Sequence, residues 1–235
     1  MPADLPPPPA REPVVLLHGL CRSASSMRPM QRELESAGFT VSNVDYPSRV
    51  SGIGELSESV IGTILACHPG TRVHFVCHSL GGILVRQYAA RHPRAAIGKV
   101  VMLGPPNGGS EVVDRLGTWR LFSWINGPAG QQLGTGNDSV PKHLGPPPFQ
   151  AGIIAGNRSI NWINSLMIPG LDDGKVSVES TRLPGARDHL VVASSHPFLM
   201  RNREVMRQTV AFLKQGSFDH SSDDEPRKAR NFTKG

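Results

Sequence analysis

The sequence predicts an α/β fold: a mostly parallel sheet of about six strands with helices on both faces. Three observations carry that expectation. Short apolar runs of strand length alternate with longer segments of helical periodicity from Val14 to about Leu213. The connections between successive strands are helical rather than tight hairpin turns, which is how parallel neighbours are joined. The chain has 235 residues, of which 38% are hydrophobic and 19% charged, enough to bury the core of one domain.

The elements follow in order. Residues 1–12 (MPADLPPPPARE) are Pro-rich and read as an extended, poorly ordered arm. Val14–Leu17 is a buried-strand run ending at His18-Gly19. A helix is expected from a cap at Ser25 or Ser26 to about Ala37, with Met27, Met30 and Leu34 on one face and Gly38 as its stop. Phe39–Val44 is the second strand, and Asp45 at its end reads as a turn or hydrogen-bonding residue. Ile53–Cys67 reads as a helix with Leu56, Val60, Ile61, Ile64 and Leu65 inward. Val73–Cys77 is the third strand, followed by a turn at Ser79 and a helix from about Ile83. Val100–Leu103 and Gln150–Ala155 read as further strands, and the segment after Asp188 as another. Asn202–Leu213 supplies the last helix, and residues 216–235 read as a disordered polar tail.

Strand, sharp turn, serine, helix is the context of a nucleophile elbow, in which a strained turn lifts a hydroxyl above a sheet. Cys77-His78-Ser79-Leu80-Gly81 resembles the G-x-S-x-G motif of the α/β-hydrolase family, and within it small bacterial lipase-like esterases and acylhydrolases. It departs from that motif at Cys77, which brings a Cβ where small size lets strand and helix approach. The resemblance implies a single α/β-hydrolase domain over residues 13–215. It also implies an oxyanion hole built from the N–H groups of Leu20, after His18-Gly19, and of Leu80.

An attacking serine needs a base for its proton and a carboxylate to orient that base. In the family the acid and then the base follow the serine along the chain. Asp172 and Asp173 stand in the acid's window, and Asp173-Gly174-Lys175-Val176 resembles the family's Asp-Gly-x-Val context, so Asp173 is favoured. His189 and His196 remain for the base. His196 lies beyond the last strand and before the last helix, the family's position, so the catalytic set is expected to be Ser79, Asp173 and His196. His189 is expected to be structural. Residues 110–149 break the strand–helix rhythm and carry Trp119, Phe122 and Trp124, which reads as a lid or cap. Those three and His78 are the candidate substrate-binding side chains.

The resemblance implies cleavage of carboxylic esters with a hydrophobic part, through an acyl-enzyme and with no metal or cofactor. A thioesterase or acyltransferase would use the same residues, and a non-catalytic lipid- or partner-binding protein could use the same scaffold. The net charge of +6 comes from scattered basic residues, so nucleic acid is not an expected partner. Three cysteines without metal-ligand spacing fit a reducing compartment better than a disulfide framework. The absence of a long apolar run or a signal-like start leads to an expected cytoplasmic location without stable membrane insertion. Oligomeric state is not readable.

Overall fold

The computed structural model describes residues 12–110, 113, 127–136, 139–159 and 171–221. Six strands form one sheet: β1 (Val14–Leu17), β2 (Val41–Val44), β3 (Val73–His78), β4 (Ile97–Leu103), β5 (Ala151–Gly156) and β6 (Asp188–Val192). Their spatial order is β2-β1-β3-β4-β5-β6, and every neighbouring pair is parallel. The order reverses at β1, so the carboxyl ends of β1 and β3 lie side by side beneath a crevice, where ligands of open α/β sheets bind.

Side-chain alternation divides the core into two layers. Val15 and Leu17 of β1, Phe75 and Cys77 of β3, and Val100 and Met102 of β4 pack on one face. That face is covered by α2 (Ile53–Leu56), a π-helical turn (Ser57–Gly62), α3 (Thr63–Ala66) and α4 (Leu80–Arg91). Val14, Leu16, Val76, Val101 and Leu103 pack on the other, under α1 (Arg28–Ser36) and the C-terminal helix.

Several boundaries differ from expectation. Ser25 and Ser26 lie inside a 3-10 turn (Ala24–Met27), and the Ser26 hydroxyl donates to the Ser23 carbonyl rather than capping a helix. α1 starts only at Arg28, with a proline in its first turn, where the missing N–H costs no hydrogen bond. Two short helices follow: α5 (Val140–His143) and α6 (Val178–Thr181). The last helix, α7 (Arg203–Gln215), is capped by Asn202, whose Oδ1 accepts the N–H groups of Glu204 and Val205. Order continues past residue 216, contrary to the expected start of the tail there. Phe218 is buried against Phe212, and its N–H donates to Asp188. Burial of one aromatic ring and a paired N–H outweighs the polar composition around it. The expected arm lies outside the described residues except for Glu12, which pairs with His74 at 2.6 Å. Among the described residues, no helix is long and apolar enough to cross a membrane.

Candidate active site

β3 delivers Ser79 to the crevice. Its backbone sits at φ +51°, ψ −116°, a region that a side-chain-bearing residue occupies only under constraint. The constraint is visible on both sides. The Ser79 N–H donates to the Leu103 carbonyl at 2.9 Å, and the Ser79 carbonyl accepts from Gly82 N–H at 3.1 Å. A Cβ on Gly81 would lie 2.9 Å from Leu17 Cβ and about 3 Å from the Leu17 and His18 carbonyls, so only glycine lets α4 begin this close to β1. Cys77 is wholly buried on the α4 side of the sheet, and burial pushes its thiol up; the departure from glycine is absorbed by the core. Leu80 opens α4, so its N–H has no intrahelical acceptor and lies at the positive end of the helix dipole.

The β1 exit is held by a ring stack. Tyr46 lies 4.2 Å from His18, nearly parallel to it, and its hydroxyl donates to the His18 carbonyl at 2.6 Å. Residues 19–22 then turn back, with Arg22 N–H on the Gly19 carbonyl at 3.3 Å and φ +57° at Cys21. Leu20 is thereby set beside Ser79. Asp45 lies at the β2 end and accepts the Ala24 N–H, a hydrogen-bonding role.

The two aspartates do different work. Asp172 Oδ1 accepts the Gly174 N–H at 2.7 Å and shapes the turn. Asp173 is wholly buried. Its Oδ1 accepts the N–H groups of Lys175 and Val176, both at 3.0 Å, and its Oδ2 accepts the His196 Nδ1–H at 2.7 Å. The His196 N–H also donates to the Asp173 carbonyl at 2.8 Å, so the two residues are tied through side chain and backbone. With its proton on Nδ1, His196 presents Nε2 as an acceptor. His189 is placed elsewhere, at 3.0 Å from the Thr181 hydroxyl at the end of α6.

His78 lies against His196. Its Nε2–H donates to the His196 carbonyl at 3.1 Å, the rings are 4.7 Å apart, and Nδ1 is buried without a partner among the described residues. Burial first, then nearby His196 and Arg22, hold its pKa well below the ordinary imidazole value, so it is neutral. Sequence reasoning missed Gly104, in the loop after β4. At φ +56°, a Cβ there would stand 3.0 Å from both Asp173 Oδ2 and His196 Nδ1, so the Asp173–His196 pair closes over a residue without a side chain. The Gly-Pro-Pro run gave no sign of this, because the contact depends on three distant segments converging.

Ser79, His196, His78 and Leu20 share one pocket with a cavity volume of about 70 Å³. Pro106, Val113, Leu133 and Val176 complete an apolar wall, and Arg22 and Lys175, neither of them foreseen, also line it. Trp119, Phe122 and Trp124 lie outside the described residues. Among the described residues, no cluster of three or more His, Cys, Asp or Glu side chains is placed to hold a metal ion.

A parallel sheet with a strained serine at the β3–α4 turn, and a buried Asp–His pair at the same crevice, defines the architecture of the α/β hydrolases. The family profile described as "alpha/beta hydrolase fold" matches residues 12–131, about half of the chain, and the protein belongs to that family. The matched stretch contains Ser79, whereas Asp173 and His196 lie beyond it. A triacylglycerol lipase of Pseudarthrobacter phenanthrenivorans is 30% identical over 115 residues, 44% of this chain and 36% of that one. A Bacillus licheniformis lipase is similar in structure. Its mature form has a TM-score of 0.69 at 20% identity, covering 91% of this chain and 95% of that one. Its propeptide form has a TM-score of 0.72 at 22% identity, covering 87% and 51%. The chain spans about a third of the length of the curated lipase that it matches.

Proposed function

We propose that this protein is a serine ester hydrolase of the carboxylesterase or lipase-like kind. The observation that carries the reading is the buried 2.7 Å hydrogen bond from His196 to Asp173, on the wall of the pocket that also holds Ser79 in its strained turn. Ser79 attacks the ester carbonyl as His196 Nε2 takes its proton. The imidazolium so formed is stabilised by Asp173. The N–H groups of Leu20 and Leu80 receive the developing oxyanion, preorganised by the β1 turn and the start of α4. His196 then protonates the leaving alcohol, giving an acyl-enzyme. A water, deprotonated by His196, attacks this ester and releases the acid and Ser79. Residues 110–149 serve as the cap; Val113 and Leu133 on the pocket wall support that assignment. The small apolar cavity and the lipase relatives favour an ester with a hydrophobic part.

A fluorophosphonate probe tests the reading, because it labels only a serine activated by a base. Wild type is expected to label, and Ser79→Ala and His196→Ala are not. Ser79→Ala is expected to lose ester turnover by at least about ten-thousand-fold. Labelling or ester turnover retained in well-folded Ser79→Ala would sink it.

A further inference from the structure

The pocket carries two cations that the hydrolytic steps do not use. Arg22 comes from the turn after β1 and Lys175 from the loop of the acid, and the two converge on the pocket of Ser79 and His196. Among the described lining residues there is no carboxylate. Neither side chain has an ion-pair or hydrogen-bond partner among the described residues. Several other cations of the described residues are occupied. Arg91, Arg182 and Arg207 meet carboxylates, and Lys99 reaches the carbonyl of Leu213 near the end of α7. Arg86 is spent on Asn107 and the carbonyls around α5.

The carboxylate nearest to hand cannot neutralise the pair. Asp173 lowers the cost of charge on Lys175 only at a distance, since its two oxygens are already taken by His196 and by the N–H groups of residues 175 and 176. Both cations keep contact with solvent, yet protein mass around them holds each below its ordinary pKa. Arg22 further lowers Lys175, and Arg201 further lowers Arg22. Both side chains are exposed at the pocket, where the two like charges repel each other. A ligand anion between them relieves that repulsion.

We propose that Arg22 and Lys175 form an anion-recognition pair at the pocket mouth, selecting esters that carry a carboxylate or phosphate within reach of the scissile carbonyl. The proposal rests on the serine-hydrolase reading and names the substrate class of the same site. An arginine from one loop can fork onto two oxygens of the anion while a lysine from the other supplies a compact charge. The anionic group can belong to the acyl part or to the alcohol part of the ester, and both place the same chemistry between the two side chains.

Two matched pairs of substrates separate those sources. On the acyl side, p-nitrophenyl hemiglutarate is compared with p-nitrophenyl pentanoate. On the alcohol side, the monobutyryl ester of glycerol phosphate is compared with monobutyrylglycerol. Wild type is expected to prefer the anionic member of at least one pair by about tenfold in kcat/KM at low salt, and less so in 0.5 M NaCl (on the order of the screening limit). Arg22→Gln and Lys175→Gln are each expected to lower that ratio, Arg22→Lys and Lys175→Arg to retain most of it, and Lys175→Glu to reverse it. A role confined to folding would lower turnover of both members alike and leave the ratio standing. If one variant fails to fold, the other, on a separate loop, and the salt dependence of wild type still decide. A ratio near one on both pairs, or an unchanged ratio in both glutamine variants, overturns the proposal while fluorophosphonate labelling of Ser79 keeps the hydrolase reading. No labelling and no turnover of any of the four esters overturns both.

Discussion

Ser79 shows how far a single residue can be pushed by its neighbours. Its φ of +51° with ψ of −116° is open to glycine at little cost, and it costs a residue with a Cβ on the order of 1–3 kcal/mol. The sheet bond to Leu103 and the first turn of α4 impose it. Ser79→Ala keeps the Cβ and therefore the strain, whereas Ser79→Gly releases it and loses part of the gain to the greater freedom of the unfolded chain. Ser79→Gly is therefore expected to be about 1 kcal/mol more stable than Ser79→Ala, the reverse of the usual order. Thermal melts of the two inactive variants check this, and an Ala variant melting at or above the Gly variant would contradict the strain argument. At this scale the sequence was informative wherever chemistry and chain order coincide. Serine after an apolar run, Asp-Gly-x-Val, and a late histidine pointed to Ser79, Asp173 and His196 without coordinates. Gly104, Arg22 and Lys175 were not legible, because a glycine under the Asp173–His196 hydrogen bond or a cation at a pocket mouth acquires meaning only when remote loops converge.

At the scale of elements, the strands were easier to read than their connections. The inner strands β1, β3, β4 and β5 are almost wholly buried and read as mainly apolar runs, whereas the edge strands β2 and β6 carry Ser42 and Asn43, and Asp188 and His189, at positions that are not buried, and were legible from their valines and leucine. The π-helical turn at Ser57–Gly62 and the 3-10 turn at Ala24–Met27 were not foreseen, because one extra or missing residue per turn shifts hydrogen bonds without altering the apolar face. The joints between elements depend on buried polar side chains. Arg86 leaves the inner face of α4 and donates to Asn107 Oδ1 at 2.9 Å and to the carbonyls of Leu144 at 2.7 Å and Pro141 at 3.3 Å. Asn107 in turn donates to the Thr181 carbonyl at the end of α6 at 2.7 Å. One guanidinium thus ties α4 to the α5 segment and, through Asn107, to the end of α6 on the Asp173 side of the crevice. Burial lowers its pKa to about 10, so it remains charged at neutral pH. Arg86→Met fills similar volume and orphans those acceptors. It is expected to cost about 3 kcal/mol in urea unfolding, the scale of leaving several buried polar partners unmatched. A cost below about 0.5 kcal/mol would mean that solvent replaces the guanidinium without penalty.

Across the whole molecule, histidines kept neutral by burial make stability depend on pH. His18, His74, His78 and His189 all titrate below the ordinary value of 6.5, chiefly because the protein withholds water from the charged ring. The unfolded chain binds protons at these residues near pH 6.5, while the folded chain refuses them until a lower pH. Below 6.5 the unfolded state therefore holds more protons, and stability must fall as the pH falls. Above 6.5 both states are neutral at these positions and the contribution is flat. Glu58, Glu204 and Asp219 are also depressed, by hydrogen bonds to neighbouring His92, Arg207 and Ser221 respectively. Their stabilisation is present above the ordinary carboxylate range and is lost as the pH falls through their lower folded values, so it begins to fail only below about pH 4.5. The window from 6.5 to 4.5 belongs to the histidines. His78, held well below the ordinary value, supplies the largest share, about 1.4 kcal/mol per pH unit where its folded form stays neutral; His18, His74 and His189, shifted in the same direction, add to it. Urea unfolding is expected to give a level stability from pH 8 to 7 and a decline of at least that slope between pH 6 and 5. His78→Asn should flatten the decline whatever it does to absolute stability, because the slope counts protons and not contacts. A wild-type stability that stays level from pH 7 to 5 would mean that the folded protein accepts these protons, and the enclosed imidazole beneath His196 could then not be neutral.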